Sequence, residues 1–258
     1  MTAWIFDIDG VIVNFNTKKV EYPQILQKIS NILERNEPVA LISGRSISKV
    51  LDMVIEPIEN LIKQKDKLDL LTFEGEFGAV SLKYTKNKQE INYDTEYSPP
   101  DELISEGKKI IEEFSDYVFF DLKKTFFTGE IKNGVSNDSF KSVQPKIKEK
   151  LQKLIDDMSL SDLFEVHQDN NAVNVKNKKL NKHLATQKFL DWQNTKKINP
   201  EIYIVFGDSE SDLQIGQELY DQGKNLEFIY TGEDEIEEKP FKIIKVGKFD
   251  LGTLEYLQ

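Results

Sequence analysis

Short apolar runs alternate with longer segments of helical spacing over the first part of the chain. Trp4-Ile5-Phe6 has the length of a buried strand. Residues 22–35 then place Ile25, Leu26, Ile29, Ile32 and Leu33 at the i, i+3, i+4 spacing of a helix, with Pro23 suited to its first turn. Residues 38–42 form a second apolar run ending in Ser43-Gly44-Arg45. A helical pattern follows to residue 65, and residues 68–73 read as a third strand. Strand, helix, strand, helix, strand is the rhythm of βαβ units, and it predicts a parallel sheet with right-handed crossovers.

The rhythm then breaks. Residues 77–82 and 88–93 read as a strand pair around a polar turn at Lys86-Asn87. Pro99-Pro100 precede a helix to residue 115, and residues 117–122 and 125–131 suggest another pair. A long helix over 138–158 and a last pair at 163–168 and 172–175 complete the stretch. Helix plus two strands thus occurs twice. Residues 83–177 are expected to form an inserted α+β domain with a largely antiparallel sheet, between core segments 1–82 and 178–258. The βαβ rhythm returns at Lys182, with a helix to 193, a strand at 202–206 and a helix ending near Gly223. Late strands at 226–230 and 243–246 and a short C-terminal helix follow. The expected fold class is α/β, a doubly wound, Rossmann-like parallel-sheet core with an inserted α+β cap.

Composition narrows the function. With 39% hydrophobic and 31% charged residues, the chain has the balance of a folded globular protein rather than a disordered one. No apolar stretch approaches the roughly 20 residues a membrane span needs, so no membrane partner is expected. The sequence runs straight into a strand without a basic, apolar leader, and no signal peptide is expected. There is no cysteine, which removes disulfides, thiolate metal sites and cysteine nucleophiles, and fits a cytoplasmic location. A net charge of −11 argues against a nucleic-acid partner. It does not argue against an anionic small molecule, because a bound cation can oppose the global field. A monomer or small homo-oligomer is expected.

The chemistry gathers where predicted strands end. Asp7 and Asp9 leave the first strand two residues apart, so both point the same way while strand geometry lasts, and Gly10 permits the turn that follows. Ser43-Gly44-Arg45 follows the second strand, Lys182 opens a helix, and Gly207-Asp208-Ser209-Glu210-Ser211-Asp212 follows a later strand. In an open α/β sheet the ligand crevice lies outside the carboxyl ends of the strands, so these segments are expected to converge. Acids, a hydroxyl and a lysine are a kit for phosphoryl transfer. A hard cation such as Mg²⁺ takes oxygen ligands, with Asp7 and Asp208 as ligands and Asp212 as a further ligand or a holder. Asp7 is the candidate nucleophile, Asp9 the acid and base, and Lys182, Ser43 and loop N–H groups the candidate phosphate binders. Two plainer readings stand beside these. Ser43 also suits a helix cap, and Arg45 suits an ion pair inside the core.

The segments FDIDGV, LISGR, LNKHLA and FGDSESD together resemble the four motifs of the haloacid dehalogenase (HAD) superfamily. The insertion and the Ser-Gly-Arg form of the second motif resemble its type IIB cap subgroup, which includes trehalose-phosphate and sucrose-phosphate phosphatases, phosphomannomutase and Cof-like sugar phosphatases. The resemblance implies a Mg²⁺-dependent phosphoric monoester hydrolase acting on a phosphorylated metabolite, most readily a sugar phosphate, through an aspartyl-phosphate. It implies that Asp9 also offers its backbone carbonyl to the metal, and that Gly44 belongs to the phosphate-binding loop. Val11 stands where many members have threonine, and the fourth motif has Ser211-Asp212 where many have Asn-Asp. AVNVKNKKLNKHLA resembles the approach to the third motif in trehalose-phosphate phosphatases, with Asn174 where that family has a sugar-binding glutamate. Lys123 or Lys124 is the candidate match to its cap lysine. Gly75-Glu76-Phe77-Gly78-Ala79 resembles the Glu-Asn-Gly-Ala segment of type IIB members and is expected to be a hinge turn into the cap. A phosphomannomutase-type mutase and a non-catalytic sugar-phosphate sensor are the alternatives.

Overall fold

The computed structural model describes residues 1–169 and 171–258. They form two compact units, one made of residues 1–92 and 181–258 and the other of residues 93–180.

The larger unit opens with β1 (Thr2–Asp7), α1 (Pro23–Glu34) and β2 (Val39–Ile42). A broken helical stretch follows as α2 (Ile47–Val50), a wider π turn (Leu51–Ile55) and α3 (Glu56–Leu61). Then come β3 (Leu71–Gly75), β4 (Val80–Thr85) and β5 (Lys88–Tyr93), the last ending at the unit boundary. The eight-stranded sheet has the spatial order β12-β11-β10-β1-β2-β3-β4-β5. Its later members are β10 (Ile202–Gly207), β11 (Leu226–Tyr230) and β12 (Lys242–Lys245), with α6 (Lys182–Lys196), α7 (Leu213–Asp221) and α8 (Asp250–Tyr256) as the helices. The pairings from β12 through β3 are parallel, and β3 with β4 is antiparallel.

Both faces of this sheet are covered. Phe6, Ile8, Leu41 and Phe73 join a core with residues of α1 and α3, while Ile5, Ala40, Val205 and Phe228 join a second core with residues of α6 and α7. A strand buried on two faces needs no polar alternation, which is why β1, β2 and β10 read as nearly continuous apolar runs.

The smaller unit contains α4 (Asp101–Glu112), β6 (Val118–Leu122), β7 (Phe127–Ile131), α5 (Asn137–Asp157), β8 (Phe164–Gln168) and β9 (Ala172–Asn177). Its sheet runs β6-β7-β9-β8, antiparallel throughout, and Phe127, Val173, Val175 and Val166 pack with Leu103, Ile111, Phe140 and Ile147 of the two helices. The doubled helix-and-two-strands pattern is therefore observed as such.

Several expectations differ from the structure. The third strand begins at Leu71, three residues late, because residues 65–70 take a tight 3₁₀ path with only Leu68 buried. The pair at 80–93 does not open the inserted unit at 83. β4 pairs with β3 and extends the main sheet, so the chain leaves the larger unit only after residue 92. The segment at 75–79 is accordingly no hinge. Glu76, Phe77 and Gly78 run left-handed at φ 49°, 57° and 95°, and a Cβ on Gly78 would lie 2.8 Å from the Ala185 nitrogen. This turn packs on α6 inside the larger unit.

Candidate active site

The site is built where the connections out of β1 and out of β10 run to opposite sides of the sheet. β1 lies between β10 and β2, so the carboxyl ends of β1 and β10 border the switch point at which open α/β sheets bind ligands. Asp7 ends β1, and Asp208 directly follows β10. Gly10 turns the chain at φ +70°, and a Cβ there would lie 2.2 Å from Asp208 Oδ2. Only a glycine lets the two loops close on each other here.

Asp7, Asp208 and Asp212 each offer a carboxylate oxygen within 4.8 Å of the others. Lys182, the first residue of α6, donates from Nζ to Asp7 Oδ1 and to Asp212 Oδ1. Asn181 caps that helix by accepting from the Leu184 N–H at 2.9 Å, which fixes where the lysine starts. The other oxygen of Asp212 accepts from the N–H groups of Asp208 and Ser209, both at 3.0 Å, and from the Ser209 hydroxyl at 2.8 Å. Asp212 therefore holds the loop that carries Asp208 and anchors the lysine at the same time.

Asp9 is held differently. Arg45 Nε donates to its Oδ2 at 2.8 Å and Nη2 to its Oδ1 at 2.7 Å, with Lys18 Nζ 3.9 Å from Oδ1. Ser43 is buried, its hydroxyl oxygen accepts from the Arg45 N–H at 3.1 Å, and its carbonyl accepts from the Phe77 N–H at 3.1 Å. A Cβ on Gly44 would lie 2.6 Å from the Phe77 ring, so the left-handed turn at 76–78 closes over the Ser43-Gly44 loop.

These surroundings separate the acids. Burial pushes the Asp7 carboxyl up to about 7; the Lys182 ammonium opposes that rise, while Asp212 and Asp9 add to it. Burial and the charges of Asp212 and Asp7 push Asp208 up to about 9. Burial would raise Asp9 as well, but the hydrogen bonds and charge of Arg45, with Lys18 and Lys182 behind them, hold it below its ordinary value. Burial works to discharge Lys182, and the Asp212 and Asp7 carboxylates overcome it, leaving its pKa raised. Lys182 thus stays charged between its two carboxylates, while ionisation of Asp7 and of Asp208 is costly.

The structure brings together Asp7, Asp9, Gly10, Ser43, Gly44, Arg45, Lys182, Asp208 and Asp212. The remaining sequence candidates lie on the smaller unit. Lys123 donates to Asp121 and stands 3.6 Å from Glu130, and Lys124 lies over the Tyr93 ring at 5.7 Å. Asn174 is buried and donates to Asp169 at 2.9 Å. Sequence reasoning missed Thr231 and Gly232. The Thr231 hydroxyl lies 3.2 Å from the Gly10 carbonyl and 3.3 Å from the Gly207 carbonyl, within bonding distance of both loops, and a Cβ on Gly232 would lie 1.9 Å from the Asp208 carbonyl. Their signal was position, a Thr-Gly directly after β11 on the same edge of the sheet.

No family model matches the chain, and no curated protein matches it in sequence. Solved structures do. The C-terminal domain of Candida albicans trehalose-6-phosphate phosphatase is similar at a TM-score of 0.69 and 15% identity, over 99% of this chain and 90% of that one. Aspergillus fumigatus trehalose-6-phosphate phosphatase is similar at 0.56 and 14%, over 99% and 92%. Plasmodium falciparum IMP-nucleotidase is similar at 0.57 and 15%, over 83% of this chain and 54% of that one. Likeness at these identities gives the fold, and it is the fold the four motifs lead one to expect.

Proposed function

We propose that this chain, which has the fold of the haloacid dehalogenase superfamily, is a Mg²⁺-dependent phosphatase of small phosphorylated metabolites, with a sugar phosphate as the favoured class. The observation that carries this reading is the Lys182 ammonium shared by Asp7 and Asp212, with Asp208 within reach of both acids and Asp9 beside them. The names of the similar structures support it: two are trehalose-6-phosphate phosphatases and one is an IMP-nucleotidase.

The residues fit a hard divalent cation. Three carboxylates crowd one spot, and two of them are pushed far above their ordinary values by burial and mutual repulsion. Oxygen donors of this kind suit Mg²⁺, and Asp7, Asp208, Asp212 and the Asp9 carbonyl would hold it. Bound there, the ion supplies charge that lets the acids ionise together and draws in phosphate oxygens.

The chain's own groups account for the rest. An Asp7 oxygen attacks phosphorus while the bond from phosphorus to the leaving oxygen breaks, and Asp9 gives that oxygen its proton. Asp9 then takes a proton from water as the water oxygen attacks phosphorus, which frees inorganic phosphate and restores the Asp7 carboxylate. Lys182 neutralises charge on the nucleophile and on the phosphoryl group, and the Ser43 hydroxyl and Gly44 N–H serve as donors to it. The choice of ester is assigned to the smaller unit, which carries Lys123, Lys124 and Asn174.

Acid quenching during turnover of a radiolabelled phosphate ester tests the route. Label should stay on the protein and map to the peptide containing Asp7. Absence of labelled protein from a reaction that is consuming ester would exclude the covalent route.

A further inference from the structure

Lys18 lies outside all four motifs, yet among the described residues its ammonium joins Arg45 in ion-pair range of Asp9. The loop that carries it is tied at several points. The Asn14 side-chain oxygen accepts from the N–H groups of Asn16 at 3.0 Å and Thr17 at 3.1 Å. Its amide nitrogen donates to Asp250 Oδ1 at 3.0 Å, and Asp250 is buried. Asn14 N–H donates to the Lys19 carbonyl at 2.8 Å, and Lys18 N–H to the Asn14 carbonyl at 3.0 Å, which closes the turn. Phe15 stacks on Phe249 at 5.8 Å, and the Lys18 ammonium lies 4.6 Å over the Phe15 ring.

The backbone of Lys18 is left-handed, at φ 57°. Glycine or asparagine would adopt that conformation with less strain. Lys86, Lys197 and Lys248 take the same conformation, so what distinguishes Lys18 is where its side chain lies, within ion-pair range of Asp9. Strained backbone held by surrounding structure is a recurrent property of functional loops.

We propose that Lys18 forms an anion subsite on the leaving-group side of the centre. It would favour phosphate esters whose leaving group carries a carboxylate or a second phosphate close to the bridging oxygen. The inference rests on the phosphatase reading, in which Asp9 protonates that oxygen. Atoms next to the bridging oxygen then lie beside Asp9, and Lys18 Nζ stands 3.9 Å from Asp9 with 40% of its side chain exposed. A flexible, partly exposed ammonium can turn toward such a substituent without leaving its loop.

The test compares glycerol 2-phosphate with 2-phosphoglycerate, which differ by a carboxylate in place of a hydroxymethyl group. Wild type should prefer 2-phosphoglycerate about tenfold in kcat/KM, the effect of one charged hydrogen bond, with the difference carried by KM. Lys18→Asn tolerates the left-handed turn and should melt no lower than wild type while the preference falls to near one; Lys18→Arg should restore it. Equal use of the two esters by wild type, or a preference unchanged in Lys18→Asn, overturns the proposal. Titration calorimetry in the Asp7→Asn background separates this claim from the phosphatase reading. If no ester is hydrolysed by wild type, the phosphatase reading fails. Tighter binding of 2-phosphoglycerate that disappears in Asp7→Asn/Lys18→Asn would still place the anion at Lys18, and equal binding would remove it.

Discussion

Arg45, in the loop after β2, grips Asp9, in the loop after β1, with two hydrogen bonds at 2.7 and 2.8 Å. Planar forks of this kind fix a carboxylate in orientation as well as charge. The arrangement aims Asp9 and favours its carboxylate, the form that takes a proton from water in the second step, while Asp7, two residues away, is pushed up to about 7. To act as acid in the first step, Asp9 has to take up a proton as the anionic ester binds. Two neighbouring acids in one strand and turn thus receive different chemistry from their surroundings, which a base beside a nucleophile requires.

Replacing Arg45 therefore disturbs proton transfer more than stability. Arg45→Lys keeps a positive charge and loses the fork, so it should not restore what Arg45→Ala loses. Both variants should raise the acid limb of the pH–rate profile, because the cation that lowers Asp9 is gone or misplaced. A limb unmoved in both would show that Asp9 is not the titrating group.

Lys182→Met should be the most damaging single change in the larger unit. It leaves the Asp7 and Asp212 carboxylates buried without their counter-charge, and breaking a buried pair in this way costs about 3–5 kcal/mol. Urea denaturation of the metal-free protein reads the loss. On the proposed reading, in which Mg²⁺ binds the folded acids and not the unfolded chain, added Mg²⁺ should recover part of it.

Gly10→Ala tests the approach of the two loops. A methyl group there meets Asp208 Oδ2 at 2.2 Å, at a φ that side chains resist. The left-handed backbone alone costs about 1–2 kcal/mol. Displacement of Asp208 should weaken Mg²⁺ binding in calorimetry at least as visibly as it lowers the melting temperature.

Stability should also depend on pH, in a direction that the metal weakens. Burial raises Asp7, and raises Glu74 in the core to about 7 against Lys83 and its bond from Ser81. A carboxyl with a raised folded value holds a proton that the unfolded chain has already released. The folded state then binds more protons between the ordinary carboxylate range and pH 7, and stability falls as pH rises across that window. Metal-free protein should melt lower at pH 7.5 than at pH 5.5, and Mg²⁺ should shrink the difference. Glu74→Gln should remove the share that Mg²⁺ leaves, since Glu74 lies outside the acid cluster.

Much of this was legible in the sequence because β1, β2 and β10 are buried on both faces and advertise themselves as apolar runs with chemistry at their ends. The convergence of Asp7, Lys182 and Asp208 followed from topology alone. Residues 80–93 show where that reading stops. The alternation marks a strand pair, but which sheet it joins is decided by the pairing of Thr72 with Lys83 and Phe73 with Leu82, a tertiary fact. Thr231, Gly232 and Lys18 went unseen for a related reason. Each acts through a close approach between loops, and no local periodicity records such an approach. Arg45 was legible as an ion-pair partner, while its partner, Asp9, was not.

The central claim is that Asp7 carries phosphoryl transfer in a magnesium-dependent site. The most direct measurement is phosphate release from a panel of sugar phosphates and other phosphorylated metabolites, with Mg²⁺ and with chelator, for wild type and Asp7→Asn. Release should need the metal and vanish in the variant. Release that survives chelation or survives Asp7→Asn would contradict it.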